Sequence, residues 1–208
     1  MIHELSHPLA KSLVNHLRAT DCDGLRFRHH VAELSRLLCY EAFAAMPLAP
    51  ERVMTWQGEA EYGFIDEREI VFVPVLRAGL PMLEALLGLF PESAAGFLAM
   101  KRDERTHQAL LYYDRVPDCR GKTVVLLDPM VATGGSLTDA IALLKGKEPS
   151  RIISLNIIGS PEGLEVVERK HPDVELFIAQ VDQRLDGNKF IHPGLGDAGD
   201  RAYNTPEG

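Results

Sequence analysis

Between Thr123 and Leu144 the sequence leaves few folds open. Thr123-Val-Val-Leu-Leu127 is a short aliphatic run rich in β-branched residues, as expected for a buried strand. Leu137, Ala140, Ile141 and Leu144 then recur at i, i+3, i+4 and i+7, which predicts a helix with one buried face. The two are joined by Asp128-Pro-Met-Val-Ala-Thr-Gly-Gly-Ser136. In open α/β sheets ligands bind at the carboxyl ends of strands, so this turn is a candidate site. Thr133, Gly134, Gly135 and Ser136 fit a phosphate cradle. The glycines let backbone N–H groups approach oxygens, the hydroxyls add donors, and the helix N-terminus adds positive dipole. Asp128, at the strand end, is positioned to accept hydrogen bonds from ribose hydroxyls. The turn is not a Walker loop, because no GxxxxGK[ST] is present. The plain alternative is a turn with a Ser or Thr cap. The strand before and the amphipathic helix after weigh against it.

The rest of the chain agrees with a layered α/β domain. Leu9, Leu13 and Leu17 fall at i, i+4, i+8, and Val31, Leu34 and Leu38 continue to Phe43 or Ala45, so residues 1–46 read as a helical region. Asp21-Cys22-Asp23-Gly24 separates the two stripes. Residues 47–69 have no clear period. Ile70 to Leu76 reads as a strand that ends or bulges at Pro74, since proline cannot donate to a ladder. Pro81 opens a helix to Phe90, and Ala94 to Met100 is a further strand. The polar stretch from Arg102 to Arg120 reads as a loop or hairpin arm. Ile152 to Ile158, Pro161 to Lys170 and Val174 to Ala179 read as strand, helix and strand. The tail 186–208 reads as loop. Such alternation implies a mainly parallel sheet with helices on its faces.

Composition sets limits on function. The 208 residues suit one domain, 1–208, and the net charge of −8 argues against a nucleic-acid or anionic-lipid surface. Cys22, Cys39 and Cys119 form no CxxC pair or zinc pattern, which suggests free thiols in a reducing compartment. The segment Met1 to Leu9 lacks the apolar core of a secretory leader, and no apolar run suits a membrane helix, so a cytoplasmic location is expected. Gly194-Leu-Gly-Asp-Ala-Gly199 satisfies GxGxxG. Yet only nine residues follow Gly199, too few for the helix and acidic residue of a dinucleotide site.

The segment VVLLDPMVATGGSLTDAI (Val124 to Ile141) resembles the signature for 5-phosphoribosyl-1-pyrophosphate (PRPP) of type I phosphoribosyltransferases. Its form, with Pro129 after Asp128, is that of the uracil phosphoribosyltransferases. Pro193-Gly-Leu-Gly-Asp-Ala-Gly-Asp200 resembles the uracil-binding segment of the same family, and Val73-Pro-Val-Leu-Arg-Ala-Gly-Leu80 its pyrophosphate loop. The resemblance spans nearly the whole chain. It implies the type I phosphoribosyltransferase fold, with an N-terminal helical region and a protruding loop or β-arm, and the conversion of uracil and PRPP to UMP and pyrophosphate. It implies PRPP contacts from Arg77, Arg102, Asp128 to Ser136 (Asp128, Pro129, Met130, Val131, Ala132, Thr133, Gly134, Gly135, Ser136) and Asp197. It implies uracil contacts from Ile191, Gly196, Asp197 and Ala198. Uracil offers an acceptor, donor, acceptor edge, which backbone groups of a glycine loop can match.

Arg77, Arg102 and Asp128 are the implied catalytic residues, Mg²⁺ the implied cofactor, chelated by PRPP and water. The stretch Arg102 to Arg115 is expected to close over the site. The resemblance further implies a homo-oligomer, dimer or tetramer, with GTP as an effector in some members. Lys101, Phe190, Gln183-Arg184-Leu185 and the tail from Ala202 depart from the family pattern. An RNA-binding regulator on the same fold is the rival from another class. The net charge and the lack of a Lys/Arg cluster oppose it.

Overall fold

The central strands send alternate residues into two separate cores. Ile70, Phe72, Val125, Leu127 and Phe177 pack with the first three helices, whereas Val71, Val73, Val124, Leu126 and Leu176 pack with the two helices on the other face. Period-two alternation of apolar side chains, apolar on both faces, is what a strand buried between two helical layers requires. The computed structural model describes residues 1–102 and 109–205.

The elements run β1 (Ile2–Glu4), α1 (Pro8–Arg18), α2 (Gly24–Ala42), β2 (Ala49–Thr55), β3 (Gly58–Phe64), β4 (Ile70–Leu76), α3 (Leu80–Leu87), β5 (Ala94–Ala95), β6 (Leu98–Arg102), β7 (Ala109–Asp114), β8 (Thr123–Leu127), β9 (Met130–Val131), α4 (Gly135–Lys145), β10 (Arg151–Gly159), α5 (Pro161–Lys170), β11 (Glu175–Val181), β12 (Arg184–Leu185), β13 (Ile191–His192) and α6 (Ala198–Tyr203). Among the described residues the main sheet has the order β1-β11-β10-β8-β4-β6-β7. All its pairs are parallel except β6 with β7. Helices α1, α2 and α3 cover one face, and α4 and α5 the other. This is the α/β architecture expected, and the arm is the antiparallel pair β6–β7.

Several expectations need correction. Helix α1 buries Ala10, Val14 and Leu17, while Leu9 is half exposed, so the buried stripe is rotated from the all-leucine one. The chain before α1 is not purely helical, because β1 pairs with β11 at the sheet edge. Three residues give no usable period. Within residues 47–69, where the sequence shows no clear period, Glu67–Glu69 is a 3-10 turn, and Ala49–Thr55 and Gly58–Phe64 pair as the β2–β3 hairpin. Its residues are mostly exposed, with Trp56 at 92%. An exposed hairpin needs no apolar alternation, so it left none to read.

Strand β4 continues through Pro74 instead of ending there. Its bridges to β5 stop at Phe72 and those to β6 begin at Val75. Pro74 therefore sits in a break on that side, where its missing N–H leaves no β5 or β6 bridge incomplete. The predicted strand from Ala94 to Met100 is split by the same break into β5 and β6. The tail is not all loop, for it contains β13 and the helix α6, capped by the Asp197 carboxylate on the Asp200 N–H at 2.8 Å. The three cysteines are free, as expected.

Candidate functional site

Strands β4, β8, β10 and β11 run parallel, so the loops after them emerge at one end of the sheet. Those loops begin at Arg77, Asp128, Ser160 and Asp182. The geometry follows from topology, and it gathers residues from four parts of the chain at one mouth.

The cradle after β8 is held by close backbone approach. Gly134 has φ +74, and a Cβ there would lie 2.3 Å from the Gly163 carbonyl oxygen. A Cβ on Gly163 would lie 2.1 Å from the carbonyl oxygen of Ala132. The two glycines thus let the turn and the start of α5 touch. Ser160 completes the joint: its hydroxyl donates to the Ala132 carbonyl at 2.6 Å and accepts the Gly163 N–H at 2.9 Å. Gly134 is the N-cap of α4 and no side chain caps that helix. The first amides of α4, at Gly135, Ser136 and Leu137, have no partner inside the helix. They point outward from a positive helix end, which suits a phosphate.

Asp128 is partly buried at the start of this turn. Burial pushes its carboxyl up to about 7, with the Met130 N–H at 3.3 Å pulling the other way. Its backbone is fixed by β10: the Asp128 N–H donates to Leu155, and the buried Asn156 amide donates to the Asp128 carbonyl at 2.7 Å. Ser154 donates to the Asn156 side-chain oxygen at 2.9 Å, so the amide's orientation is set in turn.

The Arg77 loop lies against the end of β8. A Cβ on Gly79 would come within 2.5 Å of the Leu127 carbonyl oxygen, so only glycine admits this approach. Arg77 is more than half exposed. It pairs with Asp200 at 2.7 Å and donates to Thr205 Oγ1 at 3.3 Å. The Thr205 hydroxyl in turn donates to Asp200 Oδ1 at 2.5 Å, and this bond first and Arg77 second hold the Asp200 carboxyl below the usual carboxylate range. Asp200 lies in the second glycine segment, so one ion pair joins two of the predicted motifs. Nothing in the sequence assigned it that part.

Between β13 and α6 this segment forms an open loop. Gly194 and Gly196 have φ of +65 and +79, and the His192–Pro193 peptide is cis. Ile191 and Ala198 are buried, while Gly196 and Asp197 are exposed. A cavity of ≈ 490 Å³ is lined by Met130, Phe190, Ile191, Leu195, Gly196 and Asp197, among others. A second of ≈ 600 Å³ is lined by Arg77, Met100, Met130, Asp197, Ala198 and Gly199, among others. Met130 and Asp197 line both, so the two cavities adjoin.

The structure thus brings together Arg77, Met130, Asp197, Ala198, Ile191 and Gly196 around the two cavities; of the turn after β8, Met130 lines them, whereas Asp128 and Thr133 to Ser136 line neither. Arg102 ends β6, but its side chain and that of Lys101 lie outside the described residues. So do residues 103–108, and with them the core of the predicted closing segment. Sequence reasoning missed Arg18, Asp182 and Arg201, which fix the loop from Ile191 to Ala198 from outside it. Arg201 Nη1 donates to the Leu195 carbonyl at 2.8 Å and also to Leu17, and its Nη2 donates to Ala19 at 2.7 Å. Its guanidinium also lies 4.8 Å from the centre of the Phe27 ring. No local motif marks such a residue.

Among the described residues no three His, Cys, Asp or Glu side chains stand together within reach of one metal ion. No described helix is long and apolar enough to cross a membrane.

A family model for uracil phosphoribosyltransferase matches residues 4–205. The uracil phosphoribosyltransferase of Aquifex aeolicus (strain VF5) is 45% identical over 203 residues, covering 98% of each chain. That of Mycoplasma mobile is 39% identical over 206 residues, covering 99% of this chain and 100% of its own. Among solved structures, the AQ2163 protein from Aquifex aeolicus superposes with a TM-score of 0.94 at 45% identity, over 98% of both chains. A hypoxanthine phosphoribosyltransferase from Trypanosoma cruzi, in complex with the product IMP, matches over 78% of this chain and 79% of its own. Its TM-score is 0.51 at 14% identity, a likeness of fold alone.

Proposed function

The chain belongs to the uracil phosphoribosyltransferase family, and from that premise we propose how its residues carry out the family's reaction, uracil and PRPP to UMP and pyrophosphate. The observation that carries the reading is the meeting of two adjoining cavities across Met130 and Asp197. One is walled by the glycine loop and the other reaches Arg77.

The uncapped start of α4, with Thr133 to Ser136, holds the 5′-phosphate. Pro129 to Ala132 form the floor of the turn. Asp128, as carboxylate, accepts from the ribose hydroxyls and orients the ring. Arg77 turns from Asp200 to the pyrophosphate, which a guanidinium can grip with two parallel hydrogen bonds. Arg102 is the second cation for that group. Uracil lies in the cavity of the glycine loop, where backbone groups from Ile191 to Ala198 meet its acceptor, donor, acceptor edge. Asp197 stands between the two substrates.

Uracil N1 then attacks C1 of the ribose as the C1–O bond to pyrophosphate breaks. The electron pair of that bond leaves with the pyrophosphate, and the N1 proton is lost to solvent or to a nearby acceptor. Anchoring of the remote phosphate helps to position C1. Mg²⁺, held by PRPP and water, would neutralise the charge that develops on the departing pyrophosphate.

We also propose a homo-oligomer, dimer or tetramer, in the cytoplasm. Met54, Trp56 and Tyr62, exposed on the β2–β3 hairpin, support a contact surface. A GTP effector rests on the resemblance alone, and assays with and without GTP decide it.

The test mixes the protein with PRPP, Mg²⁺ and labelled uracil, with cytosine, hypoxanthine and no base as controls. UMP from uracil alone is expected. Product with another base would overturn the reading of Ile191 to Ala198 and keep that of the cradle.

A further inference from the structure

A carboxylate removed from water must be paired and hydrogen-bonded, or the fold suffers. Asp182 is such a group. It follows β11 directly, and its side chain has no exposed surface. Its partner is Arg18, the last residue of α1, with a side chain 16% exposed. Arg18 Nη1 donates to Asp182 Oδ2 at 2.9 Å, and Nη2 pairs with Oδ1. The pair is a two-pronged fork, the geometry in which guanidinium and carboxylate orient each other.

The fork does not close on itself. Arg18 Nη1 also donates to the Gly194 carbonyl at 2.6 Å, and the Gly194 N–H donates to Asp182 Oδ2 at 3.0 Å. Both polar backbone groups of one loop residue are therefore held by the two members of one ion pair. Gly194 has φ +65, and a Cβ on it would lie 2.2 Å from the Ile191 carbonyl oxygen. Only glycine can present its two groups to the fork in this way. Asp182 is itself tied to the sheet, its N–H donating to Gly159 at 2.8 Å. Gln183 donates to His192 at 3.0 Å, from the next residue along. Leu195, Gly196 and Asp197, which follow Gly194, line the base-side cavity.

We propose that Arg18 and Asp182 are positioning residues for the nucleobase. The fork sets the height of the loop over the cavity, and so the fit of the base edge, without touching PRPP. This rests on the reading of Ile191 to Ala198 as the base loop. A displacement of about 1 Å in a positioning element can change a rate constant by roughly a hundredfold. The effect falls on the base because the cradle is held separately, by Gly134, Gly163 and Ser160.

The test measures KM for uracil and KM for PRPP separately, with thermal unfolding to confirm that each variant is folded. Arg18→Ala strands a buried carboxylate and risks the fold. Arg18→Lys, which keeps the charge and loses the fork, is the first variant. A double variant, Arg18→Gln with Asp182→Asn, replaces the ion pair by an amide pair able to hydrogen-bond. Arg151→Gln is the control. It breaks an arginine–carboxylate pair, with Glu175 at 2.6 Å, at the opposite end of the same strands. In Arg18→Lys, KM for uracil is expected to rise about tenfold or more while KM for PRPP stays within about twofold. The double variant recovers part of that loss, and Arg151→Gln moves neither KM. Parallel changes in both KM values, or an unchanged KM for uracil in folded Arg18→Lys, would overturn the proposal. A parent protein that makes no UMP from uracil would instead overturn the functional reading beneath it.

Discussion

The glycine turn after β8 and the glycine loop before α6 are held by different means. The cradle is fixed by backbone against backbone: Gly134 and Gly163 permit a contact that any Cβ would prevent, and Ser160 joins the two with short hydrogen bonds. The loop from Ile191 to Ala198 is fixed by long side chains from elsewhere. Arg18, Asp182 and Arg201 reach its carbonyls and amides from α1, the end of β11 and α6. A backbone joint is rigid and intolerant. A side-chain brace can yield in steps, so its residues tune a site as well as hold it.

The difference can be broken most sharply at the glycines. Gly134→Ala or Gly163→Ala would force a methyl group onto a carbonyl oxygen. Either is expected to cost roughly 2–5 kcal/mol of stability, by overpacking and, at Gly134, left-handed backbone. Turnover of PRPP should fall by about a hundredfold or more. Gly196→Ala is the matched change in the other segment. Its added Cβ would meet only Arg201 Cδ, at 3.3 Å, so a loss of about 1–2 kcal/mol from its positive φ is expected. Urea unfolding and steady-state kinetics of the three variants measure the contrast. Equal losses would remove it.

Asp128 sharpens the comparison through pH. Its carboxyl ordinarily titrates at 3.8 and is pushed up to about 7 in the folded chain. The folded state therefore holds the proton more tightly than the unfolded state, and stability from this group falls as pH rises between those values. Asp128→Asn removes the buried charge. It is expected to raise Tm relative to the parent above about pH 7, with the gain vanishing near pH 4. Turnover should fall by about a hundredfold, as for loss of a directed hydrogen-bonding group. In the parent, KM for PRPP should drop as pH climbs through about 7, because the carboxylate is the better acceptor for two hydroxyls. A pH profile that is flat in the parent would remove Asp128 from that role.

The smallest kinetic effect is expected from the brace. Arg201→Met keeps length and apolar bulk but removes the guanidinium donors from the Leu17, Ala19, Cys22 and Leu195 carbonyls. A loss of about 2–3 kcal/mol and a rise of about tenfold in KM for uracil are expected, with KM for PRPP little changed. A rise confined to PRPP would reverse the division between the two segments.

The two segments also differed in how much could be read from the chain. The cradle was legible almost residue by residue. Its strand, turn and helix are consecutive, and Leu137, Ala140, Ile141 and Leu144 announce the helix by their spacing alone. The Pro193 to Asp200 string was recognisable by resemblance. Its short helix α6 was hidden in what looked like a glycine-rich tail, because six residues are too few to show a helical period. Pro74 predicts a strand that ends or bulges; the strand does not end there, but its pairing is interrupted on one side, and the break between β5 and β6 that allows this lies on neighbouring strands, not beside Pro74 in sequence.

The sequence by itself determined the α/β alternation, the glycine turn between β8 and α4 and the family, since these rest on periodicities and turn chemistry within a few residues of one another. Only the tertiary structure decided that Arg77 meets Asp200 and that Arg18, Asp182 and Gly194 form one joint. Arg18 is separated from its partners by 164 and 176 residues. Which polar groups meet across such distances is set by how parallel strands end together and how helices cover them. A pairing of that kind leaves no period in the chain.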